Sequence, residues 1–182
     1  MWKLLAAGCF AMLLRAEVVD RLAITVGRQS ITELQLDEEL RVTAFLNNQP
    51  ISRTKEARRA AADRLVEQLL LKREMELSHY QQPYQKELTI YLEQLQTSDG
   101  GPERFRQLLH EYDLSESALK EHLEVQLAIL RFVEYRFRSD SATSKDSIRH
   151  KILDEQTDEA LAAWLEESRK QVNIVYIDQS LR

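Results

Sequence analysis

Four histidines, one cysteine and thirty carboxylates are the side chains of this chain best suited to acid–base, nucleophilic or metal chemistry. Their spacing decides what they can do. A helical zinc site needs two histidines one turn apart, whereas His79, His110, His122 and His150 are scattered and read as solvated histidines on helix surfaces. The runs Asp37-Glu38-Glu39 and Glu166-Glu167 fall where helices should turn a wet face, so they read as solvation and i to i+4 pairing rather than as a general acid and base. Cys9 sits inside an apolar N-terminal run, and the serines sit at helix starts or in a linker, which leaves no nucleophile beside a base. The glycine pair Gly100-Gly101 lacks the lysine and the preceding strand of a phosphate loop. The residues therefore predict no catalytic, cofactor-binding or metal-binding site. The chain is expected not to be an enzyme, to need no cofactor, and to act through its surfaces.

The elements that present those surfaces begin after a segment of different character. Met1-Trp2-Lys3 is a short positive start, Leu4–Leu14 is apolar, and Ala16 follows, the layout of a secretory signal peptide. The apolar run is well short of the roughly twenty residues that span a bilayer. A cut after Ala16 would put Leu14 and Arg15 at the minus-three and minus-two positions, so the bond itself is not fixed by sequence. Cys9 follows Ala6-Ala7-Gly8 too close to Lys3 for a lipoprotein signal, and reads as an ordinary residue of the segment. Removal of residues 1–16 takes the formal charge from −5 to about −7 and removes the only thiol. A thiol-free chain suits an oxidising compartment such as the periplasm. Net acidity argues against nucleic acid as a partner, since phosphate binding needs a basic footprint.

Residues 17–182 read as one domain bounded by two β-like runs, Leu22–Val26 and Val172–Ile177. A lone edge strand is unstable, so the two ends should meet in a small sheet. Gly27-Arg28 makes a tight turn into a short return strand at Gln29-Ser30-Ile31. Thr32 and Gln35 have capping-box spacing and open a first helix carrying Leu34, Leu36, Leu40, Val42 and Phe45, stopped by Asn47-Asn48-Gln49-Pro50. Ser52 or Thr54 caps a second helix, about 54–78, with Ala57, Ala61, Leu65, Val66, Leu69, Leu70 and Leu77 on one broad face. A third helix spans about 82–97 with Leu88, Tyr91, Leu92 and Leu95, and ends at the loop signal Ser98–Pro102. Glu103–Glu111 is a short fourth helix with Phe105, Leu108 and Leu109 inward. Ser115 or Ser117 opens a fifth of about twenty residues, whose wide apolar arc (Leu119, Leu123, Leu127, Leu130, Val133, Phe137, with Val125, Ile129 and Phe132) is expected to be buried. After a polar linker, Ser139–Ser144, two helical pieces follow at Ile148–Leu153 and Glu159–Arg169, the second capped by Thr157. The predicted fold class is α+β and predominantly helical: a multi-helix lobe with a small β-sheet joining an N-terminal hairpin to a C-terminal strand.

The order of these pieces resembles the non-catalytic part of SurA-like periplasmic chaperones, the parvulin-type foldase family. The stretches that carry the likeness are Val19–Gly27 with Ile31-Thr32, Ala62–Leu71, Leu127–Arg138, and Ile152-Leu153 through Ile177. Together they cover most of residues 17–182. The resemblance implies that the N-terminal hairpin and helices pack with the C-terminal helix and strand. It also implies chaperone-like binding of unfolded or exported polypeptides, outer-membrane proteins among them, through aromatic-rich extended segments. The chain departs from the family at residues 139–147, where a parvulin domain would sit. Nine residues cannot form a prolyl isomerase, so no isomerase activity and no catalytic residue carries over.

A protein that holds unfolded chains needs apolar surface rimmed by charge. Tyr80, Tyr84, Tyr91 and Phe105, around the loops that flank the third and fourth helices, are the candidate client-binding residues. A second expectation, from another class, is a dedicated envelope assembly or scaffold protein. It would grip one partner by its helices, or pair with a copy of itself as a homodimer by exchanging the C-terminal helix and strand.

Overall fold

The two terminal runs pair. In the computed structural model, which describes residues 20–81, 85–137 and 147–182 (for 147–156 the backbone alone), β1 (Leu22–Val26) is the central strand of a three-stranded antiparallel sheet. β2 (Gln29–Thr32) flanks it on one side and β3 (Ile174–Tyr176) on the other. Gly27 has φ +60° and Arg28 is not in the positive-φ region, the signature of a type II′ hairpin with glycine at its first central position. The Gly27 amide also donates to the Asn173 carbonyl at 2.8 Å, so one turn residue fixes both the hairpin and the arrival of the C-terminal strand.

The helices are α1 (Glu33–Leu46), α2 (Lys55–Leu77), α3 (Gln85–Ser98), α4 (Pro102–Glu111), α5 (Glu116–Phe137) and α6 (Ser147–Gln171). The chain is thus α+β and predominantly helical, as its pattern predicts. Thr32 and Gln35 make the reciprocal capping box of α1, and Thr54, not Ser52, caps α2. Ser115 accepts from the Ala118 amide and so serves the start of α5. The signal segment 1–16, the linker 139–144 and Tyr84 lie outside the described residues.

Two buried clusters share α1. Leu36 and Leu40 join Ala23, Ile24, Val26 and Ile31 of the sheet with Ala61, Ala62, Val66 and Leu70 of α2. Ala61 and Ala62 are small enough for α2 to lie close under the strands. One turn on, Val42 and Phe45 join Leu88 of α3, Phe105 and Leu109 of α4, and Leu119 and Leu123 of α5. α1 is therefore the wall between a sheet-side core and a helical lobe.

The C-terminus is clasped to α2. Leu181, in a short 3₁₀ turn (Gln179–Leu181), is fully buried in the sheet-side core. Arg58 donates to Glu33 at 2.9 Å and to Asp178 at 2.6 Å. Arg59 lies over the Tyr176 ring at 4.2 Å and donates to the Leu181 carbonyl. The Tyr176 hydroxyl reaches Asp63 at 3.2 Å, and Arg169 of α6 reaches Glu67 at 3.0 Å. Arg182 donates to the Tyr176 carbonyl, which strand alternation turns away from β1, and so blunts that edge of the sheet.

Several expectations are corrected. The last two helical pieces are one helix: no glycine or proline interrupts residues 147–171, so nothing forces the residues before Thr157 out of helical geometry, and Thr157 lies within α6 rather than at a start. The β-like run at 172–177 narrows to the three residues of β3. On α5 only Leu119, Leu123 and Phe132 are buried: the first two join the helical lobe, and beyond it Phe132 packs against Tyr80 while the rest of the second half is half-buried or exposed. Leu130 of α5 is 51% exposed and Leu77 at the end of α2 is 66% exposed. Leu34 is exposed as well, on the first turn of α1. Glu39 lies buried rather than on a wet face, and His122 is largely buried beside it.

Candidate functional site

The four aromatic candidates separate. Phe105 is fully buried, edge-on to Phe45 with ring centres 6.0 Å apart, and is core rather than surface. It packs there with Phe45 of α1, Leu88 of α3 and Leu119 and Leu123 of α5. Tyr91 is 39% exposed on α3. Tyr80, in the turn after α2, packs against the second half of α5, 5.2 Å from both Phe132 and Tyr135. Among the described residues the Tyr80 hydroxyl has no hydrogen-bond partner, and burial pushes it above the usual phenol range.

Tyr80 therefore belongs to an aromatic ledge with Phe132, which is buried as the α5 arc predicts, and Tyr135. Tyr135 forms its outer part, 65% exposed. Two residues on, Phe137 meets Trp164 of α6 with ring centres 6.1 Å apart. Trp164 and Leu77 in turn line a hollow between α2 and α6, with Leu70, Arg73 and Val172. Two aromatic groups therefore flank the second half of α5: Tyr80 with Phe132 and Tyr135 on one side, and Phe137 with Trp164, beside Leu77, on another, since residues two apart on a helix do not share a face. Their rim is charged: Arg131 bridges Glu87 at 2.9 Å and Glu134 at 2.6 Å, and Arg136 lies near the Phe137 ring. The hollow is about 170 Å³, well below the roughly 300–1,000 Å³ of small-molecule sites. It is the size for one side chain of a larger partner.

Sequence reasoning singled out Tyr80, placed Leu77 on the inner face of α2 and passed over Tyr135, while Trp164 keeps the inner-face position that its spacing predicts, partly buried against the sheet-side core. The available signal was length: α5 is twice as long as α4, so its second half must outrun the small lobe that α4 helps to close.

Two larger hollows are lined by charged side chains, several of them already paired. One of about 810 Å³ lies over the sheet's open side, where Arg53 forks onto Asp37 and Arg58 onto Glu33 and Asp178, beside the exposed Leu22, Leu34 and Ile177. The other, about 610 Å³, brings His110, Asp113 and Ser115 together between α1, α4 and α5. Each of the last two has another task. Asp113 takes a 2.6 Å bond from Arg41, and the Ser115 hydroxyl lies 3.0 Å from that of Ser117 while accepting from the Ala118 amide. A nucleophile needs a base within hydrogen-bond reach, and no such contact joins His110 to Ser115 among the described residues.

The buried polar group with most partners is Glu39. Its side chain, 3% exposed, accepts from Arg64 at 2.7 Å and from Thr43 at 3.4 Å, and its other oxygen lies 3.4 Å from His122 Nδ1. This ties α1, α2 and α5 through one carboxylate. Among the described residues no group of three or more His, Cys, Asp or Glu side chains is arranged to hold a metal ion, and no helix is long and apolar enough to cross a membrane.

No protein-family model matches the chain, and no curated protein matches it in sequence.

Proposed function

We propose that this protein is a chaperone-like binding protein that holds unfolded or exported polypeptides, outer-membrane proteins among them, without prolyl isomerase activity. The binding surface in this reading is the ledge at the ends of α2, α5 and α6, and the compartment is the periplasm. The observation that carries the reading is the exposure of Tyr135 beside Tyr80 and of Leu77 beside the Trp164 hollow, each about two-thirds exposed, with paired charges around Arg131. Exposed large apolar side chains next to partly buried aromatic rings suit an interaction surface, and Tyr supplies contact area with a polar tip. The hollow beside Leu77 takes a single side chain, which suits a larger chain laid across it. The resemblance to SurA-like proteins adds support, since that family implies a C-terminal strand returning to an N-terminal hairpin.

The test is suppression of aggregation of a chemically unfolded outer-membrane protein by the purified chain, with a proline-isomerisation assay on the same sample. Suppression near stoichiometric ratio without isomerisation is expected, together with its loss in a Leu77→Ser, Tyr135→Ser double variant. Absence of suppression against several unrelated clients would overturn the reading in favour of a dedicated assembly protein with one folded partner.

A further inference from the structure

We propose that Glu39, Arg64 and His122 form an acid-sensitive joint between α5 and the α1–α2 pair, closed when His122 is neutral and weakened when His122 is driven to take a proton. The inference stands apart from the proposed function, because it rests on a buried cluster rather than on the ledge.

The argument is one of charge balance in a dry place. Glu39 is almost fully buried, and one of its oxygens is already matched by the Arg64 guanidinium at 2.7 Å and by the Thr43 hydroxyl. One carboxylate and one guanidinium sum to zero. A charged imidazole would be a second cation beside one buried anion, held by a 3.4 Å approach of Nδ1 to the other Glu39 oxygen and by the weaker pull of Glu38. Buried charges are tolerated when paired and are costly when in surplus. With His122 neutral the surplus vanishes, and an Nδ1–H can still point at the carboxylate.

The charges that face His122 come from both neighbouring helices: Glu39 and Glu38 from α1, which favour the proton, and Arg64 from α2, which opposes it. On α5 itself, Lys120, Glu121 and Glu124 are near in sequence, and Glu124 is engaged by Gln85 of α3 at 2.9 Å. Glu87, the acidic residue of α3 next along, turns to Arg131, more than two turns further down α5. Burial is the largest influence and lowers the affinity of His122 for its proton below that of a free imidazole; the Glu39 charge offsets it only in part. The unfolded chain then takes up this proton near pH 6.5 and the folded chain only at lower pH. Stability from this joint is complete above about pH 6.5 and is lost as pH falls from there towards the folded value.

Two measurements on the intact protein test this. In an NMR titration of the imidazole rings, His122, assigned by its loss in His122→Gln, is expected to titrate below a free imidazole, whose value is about 6.5. The thermal midpoint is expected to fall by a few degrees between pH 7 and pH 5, and that slope to flatten in His122→Gln. A His122 that titrates at or above about 6.5 would mean the cluster stabilises imidazolium, and would overturn the proposal. So would an unchanged slope in His122→Gln. Should His122→Gln fold poorly, the ring titration of the unaltered protein decides alone, with His122 assigned by sequential connectivity along α5.

Discussion

Phe105 and Tyr135 are both aromatic residues on amphipathic helices, yet one is sealed and the other bare, and the cause is where each helix lies relative to α1. Phe105 points into the narrow space that α1, α4 and α5 enclose, so its burial is set by three elements at once. Phe105→Ala should cost about 3–5 kcal/mol, since a large buried ring is replaced by a cavity that this small lobe cannot collapse to fill. A urea unfolding midpoint measures it, and a loss below about 1 kcal/mol would mean the lobe repacks. Tyr135→Ser removes a side chain that mostly touches water, so the midpoint should move by no more than about 0.5 kcal/mol. Client holding should fall in the same variant. Sequence spacing places both residues on helices and cannot tell them apart, because burial is decided by the partners across the interface. The same holds for Glu39 and His122. Each looks like an ordinary surface charge on its own helix, and only the crossing of α1, α2 and α5 turns them inward.

At the scale of elements, what is local is legible. The Thr32–Gln35 box, the Thr54 cap, the Gly27 turn and the loop at Ser98–Pro102 each depend on a few neighbouring residues, and each appears where the pattern puts it. Thr32→Ala should therefore cost about 1 kcal/mol, the usual loss for an N-cap, read as a lower unfolding midpoint with the far-ultraviolet dichroism of the folded state unchanged. Gly27 carries a second load. Its φ of +60° is strained for any side chain, and an added methyl would stand 3.4 Å from Val172. Gly27→Ala should cost about 1 kcal/mol or more, and it should disturb the Asn173 contact along with the hairpin. The errors lie where a local signal has no local consequence. Thr157 offers the chemistry of a cap, but a cap starts a helix only after a break, and α6 has none. The wide arc of α5 satisfies the pattern of a buried helix along its whole length, while the core supplied by α1, α3 and α4 covers only its first half.

For the whole molecule, the sheet and its clasp decide which parts stand or fall together. β3 and Leu181 come from the far end of the chain, yet they complete the core that β1, α1 and α2 begin. Closure of so long a loop is entropically unfavourable, and the gain comes only once β3 pairs and Leu181 is buried. Asp178 sits at the centre of the clasp. The Ser180 hydroxyl and amide, then Arg58, hold its carboxyl well below the usual carboxylate range. For such a group the sign is opposite in origin to that of His122 but similar in direction. Asp178 is charged in the folded state when the unfolded chain already binds a proton near pH 3.9. Its contribution is therefore complete above about pH 5 and is lost as pH falls below about 4. Acid unfolding of this protein should then show two separable steps, a shallow one between pH 6.5 and 5 that His122→Gln removes and a steeper one below pH 4 that Asp178→Asn reduces. Arg58 keeps Glu33 in that variant, so the clasp is weakened rather than broken at neutral pH. The order of loss follows from the geometry: the first step loosens α5 at its joint with α1 and α2 while the sheet holds, and the second releases the C-terminus from the sheet. Proteolysis at pH 5.5 tests that order. Cleavage should appear within α5 before it appears in the C-terminal strand, and early release of residues 172–182 at that pH would mean that the clasp, not the Glu39 joint, is the more acid-labile of the two.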